Sequence, residues 1–132
     1  MYNYKILLAD DDADDRDFFR YALKRLDVDL SALTEAQNGE EVLRILEKAD
    51  GQLPDIIVLD QNMPLMTGEQ ALQAIKADDR FRHIPVALYS TSNFANQKQK
   101  FLDMGAFTVA AKPISLEDYK GMVEGILSQV GK

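Results

Sequence analysis

Short apolar runs of strand length alternate along the chain with segments whose apolar residues recur at spacings of three and four. This alternation is typical of a parallel β-sheet that is covered by helices on both faces. The apolar runs predict five strands, at residues 4–9, about 30–36, 55–60, 84–89 and 106–111. A helical segment follows each run, so the pattern predicts a doubly wound α/β fold with five parallel strands and five helices.

Several predicted helices begin at residues of the kind that cap helix N-termini. These residues are Asn38 paired with Glu41, Thr67 paired with Gln70, and Ser115. The fourth helix, from about residue 93 to residue 104, has the thinnest apolar face, and Gly105 predicts its C-terminal end. The second strand has the weakest pattern of the five, whereas the helix after it is distinct.

Length and composition favour a single domain. The chain has 132 residues, of which 46% are hydrophobic, enough for one compact core that spans residues 1–132 and leaves no room for an effector domain. No apolar run approaches the roughly 18 residues that a membrane span requires. No basic segment leads into a signal-type core either, so we expect a cytoplasmic protein without membrane contact.

Charge and cysteine content exclude several classes of protein. A formal net charge of -7 opposes binding to a phosphate backbone, and no cluster of lysines and arginines offsets it locally, so direct nucleic-acid binding is not expected. The chain contains no cysteine, which excludes disulfide scaffolds, thiolate metal sites and cysteine nucleophiles. Its one histidine, His83, lies in a predicted loop and cannot form a histidine-rich metal site.

Polar residues stand at or just after the C-terminal ends of four predicted strands. They are Asp10 and Asp11 after the first strand, Asp60 at the end of the third, Ser90 at the end of the fourth and Lys112 after the fifth. In a parallel sheet of this kind, ligands bind outside these ends, where the strand order reverses. We therefore expect residues that are distant in sequence to converge on one site.

The residue types at these positions favour metal-assisted phosphoryl transfer. The carboxylates of Asp10, Asp11 and Asp60 would repel one another unless a hard cation lay between them, and a small octahedral site suits Mg2+, with Mn2+ as the alternative. Asp60 could then attack a phosphoryl group and form an acyl phosphate. Lys112 would supply a positive charge for a phosphoryl oxygen, and the Ser90 hydroxyl a neutral donor.

The other acidic residues near the first strand have a simpler interpretation. Asp12, Asp14 and Asp15 stand where a helix starts, and we assign them mainly to helix capping and to the helix dipole. The spacing Asp10, Asp12, Asp14 also resembles the start of an EF-hand calcium loop. That interpretation fails, because Asp15 stands where the loop needs glycine and Tyr21 where it needs glutamate.

Together these motifs resemble the receiver domain of two-component response regulators, over nearly the whole chain. The resemblance is carried by four segments: Ile6-Leu7-Leu8-Ala9-Asp10-Asp11-Asp12, Asp60-Gln61-Asn62-Met63-Pro64-Leu65-Met66-Thr67-Gly68, Ser90, and Lys112-Pro113. It implies a flavodoxin-like arrangement of five strands and five helices. It also implies a single-domain phosphoprotein, since the family's effectors usually follow the fifth helix and Lys132 ends this chain.

The resemblance implies a role for each residue of the predicted site. Asp60 would be the phosphoacceptor, Ser90 the switch hydroxyl and Lys112 the contact to the phosphoryl group. The implied Mg2+ ligands are Asp60, Asp11 directly, Asp10 largely through water, and Asn62 through its backbone carbonyl. Apart from its own phosphorylation and dephosphorylation, the protein would catalyse no reaction.

Two positions depart from the family pattern. Val109 stands three residues before Lys112, where the family often has an aromatic residue whose rotamer follows the switch hydroxyl, so signalling would depend instead on the loop after strand four and on helix four. Thr91 stands where the family usually has a very small residue, which implies slower access of phosphodonors or water. The family pattern also implies a cis peptide bond before Pro113.

The resemblance also implies partners. The phosphoryl group would come from a phosphohistidine on a sensor histidine kinase or a histidine phosphotransfer protein. Output would be a contact with a downstream protein at helix four, strand five and helix five, or a further phosphotransfer, and the protein would be a monomer or a dimer linked to phosphorylation. The acidic start, residues 10–15 with Arg16, resembles in particular small receivers that serve bacterial phytochromes.

Three other functions fit parts of the pattern. A phosphatase of the haloacid dehalogenase type also uses a strand-end aspartate, but it needs a second aspartate where this chain has Asn62. A flavodoxin needs a hydroxyl-rich phosphate loop after strand one, where this chain has carboxylates. An atypical receiver that binds partners without phosphorylation stays open, although such proteins often lack the aspartate or the lysine that this chain retains as Asp60 and Lys112.

Overall fold

A computed structural model describes residues 4–91 and 94–130 of the chain. Strands and helices alternate along these residues in the predicted order. The elements are β1 (Ile6–Ala9), α1 (Ala13–Arg25), β2 (Leu33–Ala36), α2 (Gly39–Glu47), β3 (Ile56–Asp60), α3 (Gly68–Lys76), β4 (Val86–Ser90), α4 (Phe94–Asp103), β5 (Thr108–Ala111) and α5 (Leu116–Gln129). A short 3-10 turn, Leu30–Ala32, precedes β2.

The strands form one parallel sheet in the order β2-β1-β3-β4-β5. The chain builds outward from β1 to β2, returns to β3 on the other side of β1, and continues to β5. The strand order therefore reverses between β1 and β3, which is where a doubly wound sheet of this kind opens a crevice for ligands. The predicted flavodoxin-like fold is confirmed.

Two apolar cores lie on opposite faces of the sheet, because successive side chains of a strand point to opposite sides. In β1, Leu7 and Ala9 face the core formed with α2, α3 and α4. Ile6 and Leu8 face the core formed with α1 and α5. All four residues are almost completely buried, as expected for a central strand that is covered on both faces.

Several strands are shorter than their apolar runs predicted. The second begins at Leu33, because Asp29 accepts a hydrogen bond from the backbone N–H of Ser31 at 2.9 Å and caps the 3-10 turn instead. The fourth begins at Val86, directly after Pro85, and extends one residue further than predicted. Proline has no N–H to donate to a strand ladder, so a strand commonly starts after it.

The predicted helix caps are confirmed. The N-terminal side chains accept backbone hydrogen bonds as predicted: Asn38 from Glu41 N at 2.9 Å, Thr67 from Gln70 N at 3.2 Å and Ser115 from Asp118 N at 3.1 Å. The Gln70 side chain also accepts from Thr67 N, which completes a capping box. Gly105, with a φ of 107°, follows α4, whose predicted first residue, Asn93, lies outside the described residues.

Among the described residues, none of the helices combines the length and the apolar character that crossing a bilayer requires.

His83 is exposed and lies in the turn before β4, as predicted.

The start of α3 lies directly against the end of β3. Gly68 N donates a hydrogen bond to Gln61 O at 3.2 Å, and the Gln61 side chain accepts one from Glu69 N at 2.7 Å. A Cβ at Gly68 would lie 2.6 Å from the backbone oxygen of Asp60. Glycine thus permits the close approach between the start of α3 and the end of β3.

We expect Gly68→Ala to lower the free energy of unfolding by about 1–3 kcal/mol, since the atoms that the new methyl group meets belong to the backbone and cannot rotate away. Gly121→Ala is the matched control. Its Cβ would meet no atom within 4 Å, and removing a glycine from the interior of α5 should raise the free energy of unfolding by up to about 1 kcal/mol. Urea titration of both variants measures the difference, and equal stabilities would contradict the close approach.

Candidate functional site

Three aspartates converge at the C-terminal edge of the sheet. Asp10, Asp11 and Asp60 each offer a carboxylate oxygen, and these oxygens lie within 4.8 Å of one another; we call these three residues the acidic cluster. Asp10 and Asp60 are buried, whereas Asp11 is exposed. The register of β1 and β3 explains why Asp10 and Asp60 lie close together. Ala9 pairs with Leu59, and the next residue of each strand segment is an aspartate.

Lys112 joins the acidic cluster from the end of β5. Its Nζ lies 3.0 Å from Asp60 Oδ2 and 3.3 Å from Asp10 Oδ2. Its backbone N–H donates to Ser90 O at 2.9 Å, which aligns the residue beside the end of β4. The predicted convergence of the aspartates and the lysine on one site is thus confirmed. Ser90 is buried at the end of β4, next to the residue that pairs with Asp60.

Burial and charge shift the pKa values of the two central groups. Burial, together with the neighbouring negative charge of Asp10, raises the pKa of Asp60 to about 6, although hydrogen bonds from Lys112 and Asn62 act in the opposite direction. Burial by itself lowers the pKa of Lys112, but hydrogen bonds to Asp15 and Asp60 outweigh it, so the pKa lies above its usual value. Lys112 is therefore a permanent cation at neutral pH.

Hydrogen bonds from neighbouring residues, including the buried Tyr89, fix the position of Asp10. The hydroxyl of Tyr89 donates to Asp10 Oδ2, Asp12 N donates to Oδ1 at 3.0 Å, and Arg16 donates to the Asp10 backbone oxygen at 2.7 Å. Burial and the charge of Asp10 raise the pKa of Tyr89 well above its usual value, so its hydroxyl keeps its proton. The contact of Tyr89 with Asp10 was not predicted, although the place of Tyr89 directly before Ser90 puts it at the same edge of the sheet.

Two loops meet above the acidic cluster. Asn62, in the β3–α3 loop, donates its backbone N–H to Asp60 Oδ1 at 3.1 Å. Its side-chain amide donates to the hydroxyl of Thr91, in the β4–α4 loop, at 3.2 Å. Asn62 thus lies next to Asp60, and its role as a metal ligand through its backbone carbonyl stays a prediction. The hydrogen bond between Asn62 and Thr91 joins the two loops next to Asp60, which is only 1% exposed.

Asp15 has a larger role than the sequence analysis assigned to it. Asp12 caps α1 by accepting from Asp14 N at 2.8 Å, as predicted. Asp15 instead contacts Lys112 Nζ at 2.7 Å and accepts a hydrogen bond from the hydroxyl of Tyr119 at 3.0 Å. Helical side chains lean toward the helix N-terminus, so the position of Asp15 in the first turn could have indicated that its carboxylate reaches the strand ends.

The structure bears on two implications of the family resemblance, the peptide bond before Pro113 and the place of Val109. No peptide bond among the described residues is cis, so the bond between Lys112 and Pro113 is trans and the expected cis geometry is wrong; trans is the more stable form of such bonds. Val109 is 5% exposed and packs in the core beneath α3 and α4. The position that often carries a mobile ring in the family is an aliphatic core residue in this chain.

The acidic cluster suits a divalent cation. Its donors are carboxylate oxygens, the ligands that hard cations prefer, and at neutral pH three negative charges lie within a few ångströms of one another. Lys112 contacts two of the three and supplies one positive charge. A cation bound among these oxygens would remove the remaining repulsion.

Known proteins are similar to this chain in sequence and in fold. A family model described as the response regulator receiver domain matches residues 6–124. The chemotaxis protein CheY of Pseudomonas aeruginosa is 30% identical over 126 residues, which cover 96% of this chain and 98% of CheY. The structure of the phosphorylated cyanobacterial phytochrome response regulator RcpA has a TM-score of 0.81 and 27% identity, over 94% of this chain and 91% of RcpA. The Mn2+-bound form of response regulator Rcp1 has a TM-score of 0.81 and 26% identity, over 96% of this chain and 93% of Rcp1.

We expect the affinity for a divalent cation to fall as the pH is lowered through about 6, because a proton on Asp60 then competes with the cation for the same carboxylate. Above that pH Asp60 is ionised and the affinity should level off. Below it, each pH unit should weaken binding by up to about tenfold for this one group. Calorimetric titration with Mg2+ between pH 5 and 8 measures the profile. In Asp60→Asn the change in affinity near pH 6 should disappear. If the change persists in this variant, a group other than Asp60 causes it.

Proposed function

Since the chain belongs to the receiver domain family of response regulators and is a phosphoryl-accepting signalling protein, we propose that Asp60 is its acceptor and that a phosphohistidine is the donor. The observation that carries the assignment is the 3.0 Å contact between Lys112 Nζ and Asp60 Oδ2 at the edge of the acidic cluster. Asp11 has no such lysine contact among the described residues, and Asp10 is held from the interior by Tyr89.

In the proposed reaction a carboxylate oxygen of Asp60 attacks the phosphorus, and an acyl phosphate forms as the P–N bond of the donor breaks. The electron pair of that bond stays on the imidazole nitrogen, which takes up a proton from solvent. Lys112, whose Nζ lies 3.0 Å from Asp60 Oδ2, would contact a phosphoryl oxygen and stabilise its charge. Ser90, buried at the end of β4, is the proposed switch hydroxyl.

We assign the metal to Mg2+, with Mn2+ as the alternative. Asp10, Asp11 and Asp60 would hold it, with Asn62 contributing its backbone carbonyl, and the Mn2+-bound form of Rcp1 supports such a site in a related fold. The cation would supply positive charge that neutralises the phosphoryl oxygens. The ligand set contains only oxygen atoms, which is the chemistry that both ions prefer.

Receiver proteins are generally non-enzymatic signalling proteins of two-component systems, whose partners include histidine kinases. We propose that this one is a cytoplasmic single-domain receiver over residues 1–132 that catalyses only its own phosphorylation and dephosphorylation. The donor would be a sensor histidine kinase or a histidine phosphotransfer protein. The likeness to RcpA, a phytochrome response regulator by name, supports testing a phytochrome-type kinase first.

For the output we propose a protein contact on the surface formed by α4, β5 and α5, in a monomer or in a dimer that forms on phosphorylation. A groove of about 480 Å³ lies between β5 and α5 on this surface, and Lys112 and Pro113 line one end of it. The exposed side chain of Ile114 stands beside the groove. A partner bound there would contact the segment that also carries the lysine of the site.

Intact mass after incubation with a small phosphodonor tests the acceptor. We expect the native protein to gain one phosphoryl group only when Mg2+ is present, and Asp60→Asn to gain none, because the amide is not a nucleophile of this kind. Asp79→Asn is the matched control, since this aspartate is 86% exposed and pairs only with Arg82 among the described residues. A gain in Asp60→Asn would contradict the assignment, and no gain in the native protein under any donor would favour a receiver that binds partners without phosphorylation.

Thr91→Ala should accept the phosphoryl group from a small donor roughly fivefold faster, because opening the site no longer breaks the hydrogen bond to Asn62, worth about 1 kcal/mol. The rate of phosphorylation, followed by mass or by quenched-flow sampling, measures the effect. Thr91→Ser retains the hydroxyl and removes only the methyl group. It should react at the native rate if the hydrogen bond limits access, and as fast as the alanine variant if the methyl group does.

A further inference from the structure

The closest partner of Lys112 is an aspartate outside the acidic cluster. Its Nζ lies 2.7 Å from Asp15 Oδ2, against 3.0 Å from Asp60 and 3.3 Å from Asp10. The Lys112 side chain is 11% exposed and that of Asp15 is 19% exposed. An ion pair that water reaches so little is screened much less than a surface pair, so Asp15 has a strong influence on where the ammonium group lies.

Asp15 is itself fixed from the opposite side. Its Oδ1 accepts the hydroxyl hydrogen bond of Tyr119 at 3.0 Å, and Tyr119 is 1% exposed at the interface between α1 and α5. The ring of Phe18 packs against that of Tyr119, with centroids 5.6 Å apart. Each oxygen of the carboxylate therefore has a separate partner, one on α5 and one at the end of β5.

A role for Asp15 in the helix dipole alone does not explain this arrangement. A carboxylate in the first turn of a helix favours the helix wherever its side chain points, and Asp14 already provides a second acidic residue in that turn. Asp15 differs from Asp14 in its two specific partners. Both partners belong to segments that are distant in sequence, with separations of 97 and 104 residues for Lys112 and Tyr119.

We propose that Asp15 is a positioning residue for phosphoryl transfer, held by Tyr119, that orients the ammonium group of Lys112 toward the phosphoryl group on Asp60. The inference rests on the proposed function, in which Lys112 contacts a phosphoryl oxygen. Lysine is a flexible point charge with four rotatable bonds. With Asp15 as its partner, the ammonium group of Lys112 occupies one position relative to the transferring phosphoryl group. Without Asp15, the ammonium group moves toward Asp10 and Asp60 and occupies that position for less of the time.

Two isosteric variants test the positioning role. Asp15→Asn removes the charge at the Lys112 end, and Tyr119→Phe removes only the hydroxyl at the α5 end. With saturating Mg2+ and a series of donor concentrations, we expect Asp15→Asn to lower the maximal rate of phosphorylation about tenfold and Tyr119→Phe about threefold. The donor concentration at half-maximal rate should stay unchanged, because neither residue forms the entrance to the site.

The controls separate positioning from fold stability. Asp14→Asn makes the same charge change in the same helical turn, and Tyr21→Phe removes the hydroxyl of a tyrosine that is 41% exposed; both should react at the native rate. In isotope-labelled protein without metal, Asp15→Asn and Tyr119→Phe should shift the side-chain NMR resonances of Lys112, and the two controls should not. A purely structural role would change melting temperatures without moving these resonances.

The outcomes are distinct. If the native protein accepts the phosphoryl group and Asp15→Asn reacts equally fast with unshifted Lys112 resonances, the positioning role is wrong and the proposed function stands. If Asp14→Asn slows the reaction as much as Asp15→Asn, the effect belongs to the charge of the helix start, and the positioning role is also wrong. A native protein that accepts no phosphoryl group, from small donors or from a histidine kinase, overturns both proposals together.

Discussion

Two carboxylates are buried side by side at the C-terminal edge of the sheet, and the residues around them have to compensate their charge. Asp10 and Asp60 are less than 2% exposed and share a single ammonium group, that of Lys112. Asp15 is a third carboxylate in contact with this lysine, and an oxygen of Asp11 lies within 4.8 Å of oxygens of Asp10 and Asp60, so carboxylates outnumber the one ammonium group at the site. Such charges are tolerated only when hydrogen bonds and cations compensate them, and this explains both the raised pKa of Asp60 and the suitability of the cluster for a divalent cation.

The scaffold meets this constraint by fixing the backbone beneath the charges. The parallel register places the ends of β1 and β3 next to each other, and the order of the strands opens a crevice there. Gly68 lets α3 begin directly against the end of β3, and Arg16 binds the backbone oxygen of Asp10 from α1. The backbone beneath the aspartates is therefore fixed by strand pairing and hydrogen bonds, and the loops that carry Asn62 and Thr91 are joined by a hydrogen bond next to Asp60.

The parts that sequence reasoning predicted well share one property, which is that they depend on local spacing. Apolar periodicity predicts the order of strands and helices, and capping residues such as Thr67 and Ser115 predict helix starts, because the hydrogen bonds concerned join residues three positions apart. Strand lengths were less accurate. Where a local turn competes for the same backbone groups, as Asp29 does before β2, the apolar run extends beyond the strand.

The α/β fold and the edge at which Asp10, Asp60 and Lys112 meet follow from the pattern of residues along the chain, because strand ends in a parallel sheet converge by topology alone. The residue types at that edge also indicate its chemistry. Asp14 and Asp15 both lie in the first turn of α1, and the choice of Asp15 rather than Asp14 at that edge depends on tertiary packing. Asp15 and Tyr119 meet because α1 and α5 pack on the same face of the sheet. That packing joins residues 104 positions apart and depends on the shape of the whole core, which no local pattern of residues encodes.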